Sequence, residues 1–225
     1  MLPHDSLQMM VVTTQNWDRF EGEMQLFARE TLSASWQTVS SPEKVVTGKN
    51  GLGWDYDGLL SGMTGPVKQE GDGKAPAGIF YLGTVFGDAP ALPFLKMPYL
   101  QISDSLVCVD DTHSKYYNCL VNLSQWTESE HDWNSDEKMK RTDALYQWGV
   151  VVNHNISPTV PGRGSCIFLH LWRDSSTPTA GCTAMSLPVM ERLLAWLDIN
   201  KKPILVQLPR TEKIVLSCDF RFKGT

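Results

Sequence analysis

The sequence predicts a mainly β protein with a few short helices, and three observations lead to this. Short runs of β-branched and aromatic residues recur along the chain, as at residues 9–14, 79–83 and 204–208. Glycines and prolines separate these runs at regular intervals, which is typical of strands joined by turns. Helix signals occur in two stretches, near residues 134–146 and 186–197.

Composition sets bounds on size and partners. The chain has 225 residues, enough for one good core, so we expect a single domain over residues 1–225. Hydrophobic residues make up 42% and charged residues 20%, as in ordinary soluble proteins. The net charge of −5 argues against nucleic acid as the main partner, because phosphate contacts need a basic surface. No apolar run has the length of a membrane helix, so we expect no membrane span.

The first half of the chain reads as an antiparallel meander. Apolar, β-branched or alternating runs predict four strands, at residues 9–14, 21–31, 36–39 and 44–47. Residues 48–66 hold six glycines and are interpreted as a long loop.

The rest of the chain mixes strands with the two predicted helices. Further strands are predicted at residues 79–83, 106–109, 149–155, 167–170, 204–208 and 214–216. Asn134 and Glu137 have the spacing of a capping box, which predicts a helix from there to about Tyr146. Ser186 and Pro188 mark the start of the other helix, which presents an apolar face.

One stretch carries the candidate chemistry. The strand at residues 167–170 ends on His170, a polar loop follows, and the chain returns to Gly181 and Cys182. A cysteine nucleophile needs a base nearby, which His170 can supply. Backbone N–H groups at Gly181 and Thr183 can hold a developing oxyanion. Cys182 also precedes the predicted helix start, whose partial positive charge favours a thiolate.

Two motifs resemble a known family. His170, Thr179, Gly181 and Cys182 resemble the His…Ser/Thr-x-Gly-Cys pattern of the L,D-transpeptidases, the YkuD-type cysteine enzymes of bacterial peptidoglycan. Residues 65–80 resemble the family's early G-D-x-x-T-P-x-G-x-F segment. The resemblance implies a β-sandwich-like fold with mixed sheets, a core motif region over residues 65–208, and a cleft with the cysteine at its floor. It also implies that Cys182 is the nucleophile, His170 the general base, and a backbone carbonyl the group that orients His170.

The chain departs from the family pattern at two positions. Many members have His before Gly-Cys and Arg two residues after Cys, where this chain has Ala180 and Ala184. Arg163 or Arg173 is expected to hold a substrate carboxylate instead. His154, Asn155, Thr179 and Tyr146 complete the predicted substrate-binding residues. For each of these, a surface or core position is the open alternative.

The resemblance implies an activity and a partner. The expected function is transfer of a peptidoglycan stem peptide to an amine through a Cys182 thioester, with release of D-alanine and no cofactor. A carboxypeptidase or endopeptidase that uses water at the same bond, and a non-catalytic cell-wall-binding module, are the alternatives. We expect a monomer that works outside the cytoplasm. Because the first residues show no signal peptide, we expect that a leader has been removed.

The five cysteines leave several pairings open. One catalytic thiol with up to two disulfides fits an oxidising compartment, and four ordinary buried thiols fit equally well. Zinc held by Cys166, His170 and Cys182 lacks a fourth ligand, so no metal is expected.

Overall fold

The computed structural model describes residues 3–55, 65–90, 93–127 and 130–212. Within these ranges the chain forms one α-helix, α1 (Leu187–Trp196), and short 3₁₀ turns at Leu123–Gln125 and Ile199–Lys201. The strands are β1 (Gln8–Thr14), β2 (Glu21–Ala28), β3 (Gln37–Thr38), β4 (Glu43–Val46), β5 (Leu52–Trp54), β6 (Ala75–Gly87), β7 (Tyr99–Gln101), β8 (Leu106–Val109), β9 (Leu120–Asn122), β10 (Asp136–Lys138), β11 (Trp148–Val152), β12 (Phe168–Leu171), β13 (Thr183–Met185) and β14 (Ile204–Pro209).

The main sheet is mixed and closes on itself. Its strands pair in the order β1, β14, β6, β11, β12, β13, β4 and β2, and β2 pairs back onto β1. The pairs β1–β14 and β12–β13 are parallel, whereas the other neighbours in this ring are antiparallel. Closure removes open sheet edges from the ring. The predicted mainly β class with mixed sheets is therefore confirmed.

The core follows from the two-residue period of the strands. On β1, Met10 and Val12 point into the central cluster, whereas Met9 and Val11 pack with β14 on the other side. Helix α1 adds Met190 and Leu193, both fully buried, to the central cluster. The helix predicted at residues 186–197 is confirmed, because its apolar face has this core to cover.

A second, three-stranded sheet lies against the outside of the main sheet. It has the order β10–β8–β9 and is called the covering sheet here. Leu106 on β8 and Met139 directly after β10 pack with Phe86 and Phe168 of the main sheet in one buried cluster, which also contains Cys182. A disulfide between Cys108 on β8 and Cys166 just before β12 ties the two sheets together. The covering sheet therefore forms one wall over the candidate site.

The helix predicted at residues 134–146 is wrong. Residues 136–138 form β10 and pair with β8, so that Glu137 lies opposite Cys108. Asn134 does not cap a helix, because its backbone N–H donates to the Asp111 carboxylate at 2.8 Å. Pairing with a distant strand therefore outweighs a local capping signal, whose contribution is only about 1 kcal/mol.

The loop predicted at residues 48–66 is interrupted by β5, which pairs in parallel with the start of β6. The strand predicted at residues 214–216, and Cys218, lie outside the described residues. No helix in the described ranges combines the length and hydropathy needed to cross a bilayer. The single domain over residues 1–225 stays a prediction.

Candidate active site

Two parallel strands bring the predicted cysteine and histidine to the same face. His170 lies on β12 opposite Ala184 of β13, and Cys182 is the residue directly before β13. Because side chains alternate along a strand, Cys182 and Ala184 share a face. Cys182 therefore lies on the same face as His170, at a diagonal position on the neighbouring strand. Both side chains line one pocket beneath the covering sheet.

Cys182 has a free thiol held by backbone groups. The N–H of Phe168 donates to its sulfur at 3.3 Å, and the thiol lies 3.5 Å from the carbonyl oxygen of Cys166, to which it donates. The side chain of Thr179 bridges the same loop, since its hydroxyl accepts from the N–H of Gly181 and donates to the carbonyl of Cys182. All of these contacts are made by backbone groups or by the Thr179 hydroxyl, and none of them involves a charged side chain.

One hydrogen bond determines the tautomer of His170. Its Nδ1 lies 2.8 Å from the carbonyl oxygen of Leu171. A carbonyl only accepts, so Nδ1 carries the proton in the neutral ring and Nε2 keeps its lone pair. A backbone carbonyl thus occupies the orienting position, as the resemblance implies.

The thiol and the imidazole are both neutral near pH 7. Burial raises the pKa of the Cys182 thiol to about 12, and the negative charge of Glu137 adds to this effect. Burial lowers the pKa of His170 to about 4. The expected thiolate at a helix start is therefore wrong for this structure, because β13 separates Cys182 from α1 and burial dominates. A neutral pair of this kind needs a proton transfer during attack.

The pocket has a volume of about 510 Å³ and brings together six of the predicted site residues. These are Cys182, His170, Gly181, Thr179, Arg173 and Tyr146. Arg173 lies at its exposed margin, with its side chain 63% exposed and 3.3 Å from Asp143. Tyr146 is buried, and its hydroxyl donates to Glu137 at 2.5 Å.

Four predicted residues do not line this pocket. His154 and Asn155 are buried, and their side chains contact the loop at residues 155–164 instead: the His154 ring lies 3.0 Å from the Arg163 carbonyl, and Asn155 donates to the Gly164 carbonyl. Arg163 contributes its backbone carbonyl to the contact with His154. The side chain of Thr183 donates to Gln207 at 2.7 Å. Roles for these residues in catalysis or substrate binding stay predictions.

Sequence reasoning missed the charged residues of the pocket wall. Glu137 and Arg141 come from the segment predicted to be helical, and Lys68 and Glu70 come from the chain before β6. The Arg141 guanidinium is fixed by two bonds to Asp143, at 2.8 and 2.7 Å. All four lie at least 40 positions from Cys182 in sequence; Lys68 and Glu70 fall within the motif at residues 65–80 without a predicted role, and no local pattern marks Glu137 or Arg141.

The cysteines divide between a structural bond and free thiols. Cys108 and Cys166 are joined, whereas Cys119 and Cys182 are free. Because Cys166 is oxidised, its sulfur is not a thiolate ligand, which removes the zinc alternative with Cys166, His170 and Cys182. Among the residues that the structure describes, no group of three or more His, Cys, Asp and Glu side chains is arranged to hold a metal ion.

Comparison with known proteins agrees with the motifs. The family model described as YkuD, the L,D-transpeptidase catalytic domain, matches residues 29–206. The chain belongs to this family. The match begins directly after β2, extends into β14 and includes the whole covering sheet. No curated protein and no solved structure matches the chain significantly.

This YkuD domain differs from many others at Ala184, which is fully buried opposite His170. An arginine at this fully buried position would lose its contact with water, and charged side chains are rarely buried unless they are paired. The cations near the pocket come instead from Arg141, Arg173 and Lys68.

Replacing Glu137 with glutamine is expected to make Cys182 react faster with a neutral alkylating agent. Glutamine keeps an oxygen that can accept from the Tyr146 hydroxyl, but it removes the negative charge that opposes a thiolate. The pKa of Cys182 then falls, and alkylation by iodoacetamide at pH 8 is expected to rise roughly three- to tenfold.

The rate is measured by mass spectrometry of the Cys182 peptide, and alkylation of the peptide that contains Cys119 serves as an internal reference. Lys68 and Arg141, which favour the thiolate, are unchanged in this variant. A rate that stays constant or falls would show that the charge of Glu137 does not act on the thiol.

Proposed function

We propose that this YkuD domain transfers peptidoglycan stem peptides to an amine through a thioester on Cys182. The observation that carries the proposal is the bond from Nδ1 of His170 to the Leu171 carbonyl, because it leaves Nε2 as a base in the pocket that contains the thiol. Membership of the L,D-transpeptidase family supports the substrate class.

The reaction uses His170 twice. Nε2 takes the Cys182 proton as the sulfur attacks the carbonyl carbon of the third stem residue, a diamino acid. The C–N bond to D-alanine breaks, and the imidazolium returns the proton to the leaving amine. An acceptor amine then attacks the thioester, gives a proton to His170, and the thiol re-forms with that proton.

Backbone N–H groups around the cysteine are proposed to stabilise the oxyanion. The candidates are Gly181, Cys182 and Thr183, which precede and begin β13. The N–H of Gly181 donates to Thr179 at 3.1 Å in the resting structure, so its use requires exchange of that bond. Thr179 would then act by holding the loop in shape as well as by contact with substrate.

The substrate carboxylates are proposed to bind Arg173 or Arg141. Arg173 is the more available, because its side chain is mostly exposed and shares Asp143 with Arg141. Four other residues remain proposed substrate-binding residues: Arg163, His154, Asn155 and Tyr146. Of these, only Tyr146 lines the pocket.

The hydrolase is the second candidate, and Ala180 and Ala184 favour keeping it. Many family members resemble one another in having His and Arg at these positions, so a chain without them is proposed to use water as the alternative acceptor. The non-catalytic wall-binding module is less well supported, because the thiol and the oriented imidazole share a pocket.

A site of action outside the cytoplasm is supported by the Cys108–Cys166 disulfide, since such bonds persist in oxidising compartments. A monomer is the proposed state.

The test is incubation with a disaccharide tetrapeptide, read by mass spectrometry, with Cys182→Ala as the matched control. Loss of D-alanine together with cross-linked dimers, absent in the control, is the expected result. Loss of D-alanine without dimers would identify the hydrolase. No change that depends on Cys182, with this substrate or with dimeric muropeptides, would overturn the proposal.

A further inference from the structure

Tyr146 is buried against the histidine of the site. Its side chain is 4% exposed, and its ring meets His170 edge-on, with ring centroids 5.1 Å apart and an interplanar angle of 73°. Phe86 and Phe168 pack against the same tyrosine ring at 5.6 and 5.7 Å. Three rings therefore enclose Tyr146, and one of them belongs to the candidate base.

Charged groups fix the other end of Tyr146. Its hydroxyl donates to Glu137 of the covering sheet at 2.5 Å. The Arg141 guanidinium lies 5.2 Å from the centre of the tyrosine ring, and Asp143 holds that guanidinium by two bonds. A phenol anchored in this way has little freedom to rotate or to leave the histidine.

The backbone next to Tyr146 supports the group that orients His170. The Leu171 N–H donates to the Leu145 carbonyl at 3.0 Å, and the Leu171 carbonyl accepts from Nδ1 of His170. Tyr146 directly follows Leu145, so this backbone bond links the tyrosine to the residue whose carbonyl orients His170.

We propose that Tyr146 is a positioning residue for His170, and that its ring holds the imidazole with Nε2 toward the thiol of Cys182. The torsion that turns a histidine ring has broad minima, so one hydrogen bond leaves freedom that packing against a second ring removes. The inference rests on the proposed role of His170 as the base.

A purely structural role for Tyr146 predicts a different result. If the ring only fills the core, its loss changes the reactivity of Cys182 by the same factor whether or not His170 is present. If the ring acts through the histidine, its loss has a large effect with His170 and little effect without it. A double-mutant cycle separates the two.

The experiment measures alkylation of Cys182 by iodoacetamide at pH 7 in four proteins: the wild type, Tyr146→Leu, His170→Ala and the double variant. The Cys182 peptide is quantified by mass spectrometry, apart from the other thiols. Tyr146→Leu is expected to lower the rate about tenfold relative to the wild type, and by less than about twofold in the His170→Ala background. Easier entry of reagent into a widened pocket affects both backgrounds and cancels in the ratio.

Two conservative variants serve as controls. Tyr146→Phe retains the ring and is expected to stay within about threefold of the wild type. Tyr99→Phe also loses the hydroxyl of a partly buried tyrosine, which donates to the Gly87 carbonyl at 3.0 Å, but it does not line the pocket and is expected to leave the rate unchanged.

Equal factors in both backgrounds, or a Tyr146→Phe protein as slow as Tyr146→Leu, would overturn the inference, as would a rate that does not depend on His170. The measurement needs no peptidoglycan. A coupling between Tyr146 and His170 without turnover of the tetrapeptide would therefore support the positioning role while contradicting the proposed substrate.

Discussion

Replacing His170 with alanine is expected to slow formation of the thioester by about 10²- to 10⁴-fold. The pKa of Cys182 is about 12, so at pH 7 only about one thiol in 10⁵ is ionised without help. The imidazole is the group oriented to take this proton in the pocket, through the Leu171 carbonyl. Its removal leaves water as the base, while the binding surface for the substrate is largely unchanged.

The rate is measured under single-turnover conditions, by following the mass of the acylated protein with the tetrapeptide. His113→Ala is the matched control, since the side chain of His113 is 91% exposed and lies outside the pocket. Acylation at the wild-type rate without His170 would contradict the assignment and favour a different base.

The pH profile gives a second signature of the same histidine. Only the neutral imidazole accepts a proton, and burial lowers the pKa of His170 to about 4. Activity in the wild type is therefore expected to persist at pH 5 and to fall by half near pH 4, whereas an unperturbed histidine would place this limb near pH 6.5.

Removing the disulfide is expected to lower the free energy of unfolding by about 4 kcal/mol. Cys108 and Cys166 are 58 residues apart, and a crosslink that closes a loop of this length restricts the unfolded chain by about that amount. The bond also joins the covering sheet to Cys166, whose carbonyl accepts the Cys182 thiol proton. Loss of the bond therefore affects the wall and the nucleophile together.

The variant with both Cys108→Ala and Cys166→Ala is compared with the wild type by urea unfolding, followed by circular dichroism. Cys119→Ala is the control, because this cysteine is free and exposed. The free energy of unfolding of this variant is expected to equal that of the wild type. A difference below about 1 kcal/mol would mean that packing alone holds the covering sheet in place. Faster alkylation of Cys182 in the double variant is the expected accompanying change.

Strands with a clear two-residue period were predictable because the pattern is local. β1, β2, β11, β12 and β14 follow from alternating or continuous apolar runs, and each is found close to its predicted residues. The three-residue strands β5, β7, β9, β10 and β13 contain too few side chains to show a period, so they depend on the partner strand beside them.

The segment around Glu137 shows why a local signal failed. Its capping-box spacing competes with backbone bonds to β8 and with the bonds from Asn134 to Asp111 and from Trp133 to Asp136. The partners on β8 and Asp111 lie more than 20 residues away, whereas the bond from Trp133 to Asp136 is local. The same pairing carries Glu137 and Arg141 into the pocket, so the missed strand and the missed pocket wall have one cause.

The residues of the candidate active site were predictable from the motif. His170, Thr179, Gly181 and Cys182 lie within 13 residues, and a strand followed by a tight return loop is enough to bring such residues together. The family and the mainly β class follow from the same local information, because hydrophobic periodicity and turn residues act over a few positions.

Protonation and positioning depend on residues that only folding brings together. Burial beneath a sheet that begins more than 60 residues earlier lowers the pKa of His170 and raises the pKa of Cys182, and the charge of Glu137 on that sheet raises the pKa of Cys182 further. The ring of Tyr146 lies against His170 only because the segment before β11 packs beside β12, whereas the Leu171 carbonyl that contacts Nδ1 belongs to the next residue in the chain. Such contacts depend on distance in space, and a pattern along the chain does not encode that distance.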